Sequence, residues 1–246
     1  MKNYPDYGID APTEIKKILY YGVVWSIVYY LLFKLLHIWL DYNFLLTLAH
    51  VLPALSLAVS IIPVILMYFS SKISKFWQRD KLLKQISWKG DEQVLDVGCG
   101  AGLLLIGVAK HLHQNGRAIG IDIWSDIDLS NNAPGFTLRN AELEGVQNRL
   151  EVHTADVRQL PFEKDSFDIV VSSLVIHNIE SEQERNKALD EMLRVLKPGG
   201  TLLLQDILYT KKYFEYLKTS KKVKYISLSD LQWYIFPAAR FIKLIK

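Results

Sequence analysis

Hydrophobic residues are concentrated near the start of the chain. Residues 18–40 are almost wholly apolar, with Lys34 and His37 as their titratable side chains, and a second apolar stretch covers about residues 44–69. At a rise of about 1.5 Å per residue, a helix over the first stretch is about 34 Å long, enough to cross a bilayer core of about 30 Å. The pattern therefore predicts a hairpin of two transmembrane helices, at about 18–40 and 44–69, inside an N-terminal segment 1–71.

Lysine and arginine predict the orientation of this hairpin. Lys16 and Lys17 precede it, a basic stretch at residues 72–84 follows it, and the connection between the two helices contains Asp41 but no Lys or Arg. Because cytoplasmic flanks carry the excess of Lys and Arg, both ends and the rest of the chain are expected on the cytoplasmic side of a membrane. A buried hairpin of a soluble protein and a re-entrant or surface-lying pair remain alternatives, whereas a cleaved signal peptide is disfavoured because a second apolar stretch follows at once.

The pattern changes at about residue 91, from long apolar stretches to short ones. Apolar runs of strand length recur at residues 94–97, 118–123, 150–154, 167–172 and 201–205, and helical stretches separate them around residues 103–111, 137–144 and 183–196. Buried runs that alternate with helices indicate an α/β fold with a doubly wound, parallel sheet. We therefore place a second domain at residues 90–246, joined to the hairpin by a basic, helical linker at 72–89.

A glycine-rich turn follows the first of these short runs. Gly98, Gly100 and Gly102 stand between a strand and a helix, where glycine lets the backbone approach a ligand at the carboxyl edge of the sheet. The dinucleotide fingerprint G-x-G-x-x-G needs its third glycine one residue later, so the spacing argues against NAD. Asp122 ends the second run about 20 residues further on, and its carboxylate could accept hydrogen bonds from ribose hydroxyls.

Five segments of the second domain resemble one family of enzymes. They are VLDVGCGAG at 94–102, GIDI at 120–123, ADVRQLPF at 155–162, FDIVVSS at 167–173 and LKPGGT at 196–201. In order and spacing they resemble the class I methyltransferases that use S-adenosylmethionine (SAM), and the ubiquinone/menaquinone-methyltransferase-like and small-molecule members are the most similar subgroup. The resemblance implies a Rossmann-like sheet of seven strands, the last antiparallel, with residues 222–228 and 241–245 as the final hairpin.

The resemblance also implies which residues hold the cofactor. In that family the glycine loop, here Gly98, Gly100 and Gly102, packs against the methionine part of SAM. The first acidic residue of the motif, here Asp96, faces the same part of the molecule. Ser172 ends the fourth strand at the ligand edge of the sheet and is a further candidate for this site.

The nucleoside half of SAM is assigned in the same way. Asp122 would hold the ribose, while Ile123 and Trp124 would flank the adenine ring. Asp156 would accept a hydrogen bond from the adenine amino group, with Val157 beside the ring. All these positions lie beyond residue 90, so the nucleotide site is expected to lie wholly beyond the hairpin, and a chain beginning near Lys72 is expected to bind SAM.

His177 is the candidate for a catalytic base, because it lies just beyond the ligand edge of the fourth strand. A structural histidine is the alternative interpretation. A base is needed only where the acceptor must lose a proton, since the sulfonium of SAM already activates the methyl group.

Composition narrows the remaining classes of protein. The net charge of +3, without a basic run interleaved with aromatic residues, argues against a nucleic-acid partner. The single cysteine, Cys99, excludes an intramolecular disulfide and a cysteine-based zinc cluster, and no spacing of His, Asp and Glu suggests a metal site. Half of the residues are hydrophobic and the mean hydropathy is +0.11, which is high for a freely soluble enzyme.

Together these observations predict a membrane-anchored, SAM-dependent methyltransferase that acts on a small or lipid-like acceptor. A SAM-binding regulatory or scaffold protein without turnover is the alternative from another functional class. Residues 231–237 are unusually aromatic for a surface connection. They are expected to form an interfacial contact or an apolar pocket for the acceptor, or else to close the core under the final strands.

Overall fold

The computed structural model describes residues 4–113, 115–125, 129–130 and 132–246, which form a helical hairpin followed by an α/β domain. The helices are α1 (Pro12–Leu40), α2 (Asn43–Phe69), α3 (Lys75–Leu83), α4 (Leu103–Ala109), α5 (Pro134–Leu143), α6 (Glu182–Val195) and α7 (Thr210–Lys218). The strands are β1 (Gln93–Val97), β2 (Arg117–Asp122), β3 (Leu150–Thr154), β4 (Phe167–Ser173), β5 (Leu196–Asp206), β6 (Tyr225–Leu228) and β7 (Arg240–Ile245). A π-helical turn, Ser70–Ser74, joins α2 to α3.

The two hairpin helices pack along each other through small residues. Gly22 approaches Ser60 so closely that a Cβ on Gly22 would lie 2.1 Å from the Ser60 hydroxyl oxygen, and Ser26 donates a hydrogen bond to the Pro53 carbonyl. Such small residues are typical of helix contacts inside membranes, because they let two backbones come close. In the most apolar stretch of each helix only 6% and 11% of the residues are buried. Both helices are long and apolar enough to cross a membrane, and their apolar faces are largely uncovered.

The helix after the hairpin packs onto the α/β domain. Leu82 and Leu83 of α3 are buried, and the Arg79 side chain lies over Gly107 of α4, where an added Cβ would be 2.6 Å from Arg79 Cδ. Of the residues 72–89 predicted as a helical linker, helix covers those up to Leu83, and residues 84–89 are not helical. The contacts of α3 make it a wall of the domain as well as its connection to the hairpin.

The seven strands form one sheet in the order β3-β2-β1-β4-β5-β7-β6. The first five strands in sequence are parallel, β7 runs antiparallel to β5, and β6 pairs antiparallel with β7. The doubly wound, Rossmann-like sheet of seven strands with a final antiparallel hairpin, as expected from the sequence, is confirmed. The carboxyl ends of β1, β2, β4 and β5 consequently meet at one edge of the sheet.

One strand begins earlier than its hydrophobic run. β5 starts at Leu196, directly after α6, although the apolar pattern placed the strand at residues 201–205. The intervening glycines pair with the end of the chain: Gly199 donates to the Lys246 carbonyl at 2.7 Å, and the Lys246 backbone NH donates to Gly200 at 3.1 Å. These long-range hydrogen bonds extend a segment whose Lys-Pro-Gly-Gly composition is typical of a turn.

Candidate cofactor and active site

The glycine loop between β1 and α4 adopts a left-handed backbone at all three of its glycines. A Cβ on Gly98 would lie 2.2 Å from Val175 Cγ2, and one on Gly102 would lie 2.8 Å from Thr137 Cγ2. A residue with a Cβ would be strained by the left-handed backbone and would also collide with these neighbouring side chains. Gly98 and Gly102 are therefore required to be glycine. The result is a bare stretch of backbone at the carboxyl edge of the sheet, directly before the α4 N-terminus.

The carboxylate of Asp122 supports this loop. Its Oδ2 accepts a hydrogen bond from Gly100 N at 2.9 Å, and its Oδ1 accepts from Trp124 N at 2.6 Å and from the Asn132 amide at 3.3 Å. The side chain also lines the cavity beside the loop. Asp122 therefore joins β2 to the glycine loop and presents an acceptor to a ligand in the cavity.

Asp96 is the second carboxyl group at this edge, and it is almost completely buried. Its Oδ2 has no hydrogen-bond partner among the described residues. Burial, together with the negative charge of Asp122, raises the pKa of Asp96 to about 8. Without a ligand, Asp96 is therefore mostly protonated at neutral pH, and it would lose this proton when it pairs with a cation.

A cavity of about 710 Å³ opens beside the glycine loop. Its walls include Asp96, Gly98, Gly100, Asp122, Ile123, Asp156 and Val157 from the sequence motifs. A cavity of this size suits a nucleoside cofactor together with a small acceptor. The Asp96 oxygen without a hydrogen-bond partner could accept from the positively charged methionine end of SAM. The glycine backbone, which has no side chains, permits close approach of the cofactor. The Asp122 carboxylate could accept hydrogen bonds from the ribose hydroxyls. The residues present therefore fit SAM.

Asp156 has a partner that the sequence did not predict. Arg158 forms a bidentate pair with its carboxylate, with Nε 2.9 Å from both oxygens, and also contacts Glu184 at 3.3 Å. The hydrogen bonds from Arg158 hold the pKa of Asp156 below its usual range. Asp156 is thus an ionised wall of the cavity, and a ligand amino group would share its carboxylate with Arg158.

Four predicted site residues do not line the described cavity wall: Gly102, Trp124, Ser172 and His177. Ser172 is fully buried and donates to the Val97 carbonyl at 3.0 Å, which ties β4 to β1. The Trp124 indole NH donates to Thr154 Oγ1 at 2.8 Å, and its ring packs on the core cluster that contains α4. His177 contacts the fully buried Asp206, with Nδ1 2.5 Å from Oδ1. Ser172 and Trp124 thus pack beside the glycine loop, and His177 contacts the end of β5, without lining the cavity.

The expectation that the site lies wholly beyond the hairpin is wrong. Residues 6–10, which precede α1 and which we call the strap, lie across the site, and Tyr7 and Asp10 line the cavity. Asn140 of α5 holds one end of the strap: it accepts from Asp6 N at 2.9 Å and donates to the Asp6 carbonyl at 2.8 Å. No periodicity or motif marks the strap in the sequence, because its partners lie between 61 and 137 residues away along the chain.

The same Asn140 amide also donates to Ala101 in the glycine loop, at 2.9 Å. Further along the strap, Ile9 N donates to Ser130 Oγ at 2.9 Å, and Ser130 N donates to the Ile9 carbonyl at 3.2 Å. The strap is therefore bound to the elements that shape the cofactor cavity, through both of its ends.

Lys75, at the start of α3, fastens the strap from the other side. Its buried ammonium donates to the Tyr7 carbonyl at 2.7 Å and to the Gly8 carbonyl at 3.1 Å. Ser71 and Asp10 exchange two hydrogen bonds, at 3.0 and 3.1 Å. The segment that enters the hairpin and the segment that leaves it are thus joined to each other beside the cavity.

Comparison with known proteins agrees with this geometry. Residues 95–204 match the family described as "Methyltransferase domain". This part of the chain is a class I SAM-dependent methyltransferase domain. Its cofactor is SAM.

Individual relatives of the methyltransferase domain are distant. An uncharacterized protein from Haemophilus influenzae is 35% identical over 131 residues, which are 52% of this chain and 48% of the relative. A demethylmenaquinone methyltransferase from Oceanobacillus iheyensis is 28% identical over 151 residues, 58% of each chain. The chain thus spans about half the length of these curated relatives.

A solved structure shares the fold. The N-methyltransferase NodS from Bradyrhizobium japonicum, in complex with S-adenosyl-L-homocysteine, superposes with a TM-score of 0.57 at 17% identity. The match covers 72% of this chain and 90% of NodS. At this identity the likeness shows the fold alone.

The protonation of Asp96 predicts that SAM binding releases a proton. Because the pKa of Asp96 is raised from 3.8 to about 8, the ligand-free domain keeps a proton on Asp96 in the pH range between these two values. A cationic ligand favours the carboxylate, so binding near pH 7 should release up to about one proton per SAM. Calorimetry in two buffers of different ionisation enthalpy measures this number, and it should fall towards zero in Asp96→Asn. An equal proton release by both proteins would contradict the assignment.

The same proton predicts a stability change in the ligand-free protein. The folded state binds it and the unfolded state does not, so this group lowers the free energy of unfolding as the pH rises from about 4 to about 8. Asp96→Asn should flatten that part of the pH profile.

The position of His177 predicts a small kinetic effect and a larger structural one. We expect His177→Gln to lower turnover by far less than the about 10²- to 10⁴-fold that a positioned base contributes. Because the buried Asp206 would lose one of its partners, stability should fall by about 1–3 kcal/mol. Steady-state kinetics and thermal melting test this, with exposed His153→Gln as the matched control. A loss of turnover at constant melting temperature would instead support His177 as the base.

Proposed function

We propose that the chain is a membrane-anchored methyltransferase that transfers the methyl group of SAM to a small, lipid-like acceptor. One observation carries the proposal: the cofactor cavity is walled by the strap and by α3, and both continue directly into the apolar hairpin. An acceptor that partitions into a bilayer would therefore meet the cavity close to the membrane surface.

The cavity walls outside the cofactor motifs support an amphiphilic acceptor. Leu82, Leu104 and Val175 provide apolar surface, while Gln78 and Gln205 provide amide groups. Such a mixture, mostly apolar with a few polar groups, is typical of sites that bind small molecules. The Oceanobacillus relative, whose name gives demethylmenaquinone as its substrate, is consistent with this class of acceptor.

The chain's contribution to the reaction is placement. SAM, when bound, supplies a methyl group already activated by its sulfonium. The glycine loop, Asp96 and Asp122 would fix the cofactor, and the strap and α3 would exclude water and orient the acceptor. Such positioning can contribute about 7–11 kcal/mol to a bimolecular reaction in favourable cases, so the site needs no nucleophile of its own.

Membrane insertion is part of the proposal. Exposed apolar faces on two helices of this length are typical of chains that meet lipid. The Lys and Arg residues on both flanks favour a cytoplasmic catalytic domain. The full chain should remain with membranes after an alkaline carbonate wash, and its appearance in the supernatant would contradict integral insertion.

Product identification tests the methyl transfer. Incubating the full chain with methyl-labelled SAM and a lipid extract of bacterial membranes should give a labelled, solvent-extractable product. At a SAM concentration that does not saturate the variant, Asp122→Ala should give much less product. Asp168→Ala serves as a matched control because that carboxylate pairs with Lys197 at 2.8 Å, away from the cavity. SAM binding without any labelled product would favour the regulatory or scaffold alternative.

A further inference from the structure

The connection between β6 and β7 lies beside the point where the chain leaves the hairpin. Phe236 N donates to the hydroxyl of Ser70, the first residue after α2, at 3.0 Å. Lys81 of α3 donates to Gln232 at 2.7 Å, and its ammonium lies 4.5 Å from the centre of the Tyr234 ring. The connection is thus held against both the hairpin exit and α3.

The aromatic residues of this connection are not core residues. Trp233 is 79% exposed and Phe236 is 38% exposed, while Ile235 between them is only 4% exposed. Ile235 therefore anchors the connection to the domain and the rings beside it face outward. Trp233 and Phe236 are also absent from the described wall of the cavity, which removes the alternative that they form the acceptor pocket.

Two further aromatic residues extend this surface. Phe69 at the end of α2 and Trp77 of α3 are 45% and 57% exposed, and their rings meet edge to face at 6.4 Å. We call Phe69, Trp77, Trp233 and Phe236 the aromatic collar. It lies beside the exit of the second hairpin helix.

α3 separates the collar from the cavity. Lys75, Gln78 and Leu82, spaced as one helical face, line the cavity. Trp77 and Lys81, four residues apart on another face, are exposed and belong to the collar side. One helix therefore has the cofactor site on one side and an unpartnered aromatic surface on the other.

We propose that the aromatic collar is a membrane-contact surface that sits in the headgroup region and fixes the catalytic domain against the bilayer. The proposal rests on the membrane insertion proposed above. Trp collects at this depth because its ring is apolar and its NH is polar. Lys81 and the exposed Lys84 can reach anionic headgroups from the same helix. Continuity with the hairpin exit favours lipid over a second copy of the chain as the occupant.

A depth measurement on the full chain tests the collar. Trp233→Cys, labelled with an environment-sensitive fluorophore, is reconstituted into vesicles of phosphatidylcholine and phosphatidylglycerol. Native Cys99 should stay unlabelled, because it is buried and burial raises the pKa of its thiol. Tyr225→Cys is the control: Tyr225 is also an exposed aromatic, at the end of β6 away from the connection, about 10 Å along the strand from Leu228.

We expect the label at position 233 to shift its emission to the blue and to be quenched by lipids carrying a nitroxide near the headgroup. A nitroxide near the bilayer centre should quench it less, and the label at position 225 should respond to neither. Equal responses at the two positions would overturn the proposal. So would shielding from aqueous iodide without quenching by lipid nitroxides, since that combination indicates a protein partner.

The result is separable from the proposed function. Depth is measured without turnover, so the absence of a methylated product leaves it interpretable. Chain lost from the vesicles on carbonate washing would refute insertion, whereas retained chain with an unquenched label at position 233 would refute the collar alone.

Discussion

Asp122→Ala should weaken SAM binding by about 10- to 150-fold. The substitution removes the charged acceptor that we assign to the ribose hydroxyls, and a hydrogen bond to a charged group is worth roughly 1.5–3 kcal/mol. It also releases Gly100 N, which donates to Asp122 at 2.9 Å, so the glycine loop loses a support. Both effects act on the cofactor, and calorimetry of the detergent-solubilised full chain measures their sum.

Two variants separate these effects. Asp122→Asn keeps an oxygen acceptor for Gly100 but removes the charge, so it should lose part of the affinity while melting like the native chain. Asp168→Ala removes a carboxylate of the same sheet, bound to Gln93 N at 2.9 Å, and should leave SAM affinity unchanged. Unaltered affinity in Asp122→Ala would remove this residue from the cofactor site.

The local sequence predicts the α/β fold well because its signals are local. Buried runs such as residues 94–97 and 118–123 are short, β-branched or leucine-rich, and separated by helices, so the parallel sheet follows from the pattern alone. The apolar pattern does not predict that β5 begins at Leu196, because this early start depends on pairing with Lys246 at the other end of the domain. Strand ends set by tertiary hydrogen bonds leave no periodic signal.

The cofactor motifs likewise predict only part of the site. Asp96, Asp122, Gly98 and Gly100 lie in the cavity wall because they stand at strand ends and in the turn that follows β1. Ser172 ends the predicted strand but its hydroxyl points to β1, since side chains alternate across a strand and its neighbour Ser173 takes the cavity side. Trp124 has a left-handed backbone, φ 61°, and donates its indole NH to Thr154 of β3, and neither feature can be predicted from the motif.

The strap could not be predicted because its partners are remote in sequence. In the sequence Lys75 is one of several basic residues after a long apolar stretch, and nothing in the pattern distinguishes it from exposed Lys84. Only the fold shows its buried ammonium bound to the Tyr7 and Gly8 carbonyls. The hairpin is therefore inserted between two parts of one cavity wall, rather than appended before a complete domain.

A chain beginning at Lys72 should consequently bind SAM poorly. Without the strap, Lys75 loses the Tyr7 and Gly8 carbonyls and Asn140 loses Asp6, and a typical hydrogen bond contributes about 0.5–1.5 kcal/mol. If binding must compensate for even about 1.4 kcal/mol of this, SAM affinity falls by about tenfold. Affinity equal to that of the full chain would show that the strap does not contribute to the cofactor site.

A chain that keeps the strap but lacks the hairpin should recover the affinity. Asp10 and Ser71 are hydrogen bonded at 3.1 Å, so the ends left by removing Pro12–Phe69 lie close together, and a short glycine-serine linker can join them. This chain should stay in solution without detergent, because the exposed apolar helices are gone, and should bind SAM like the full chain. Adding Lys75→Met to it should weaken binding again, whereas Lys84→Met should not. Weak binding by the linked chain, with a native melting temperature, would mean that the hairpin itself shapes the cavity.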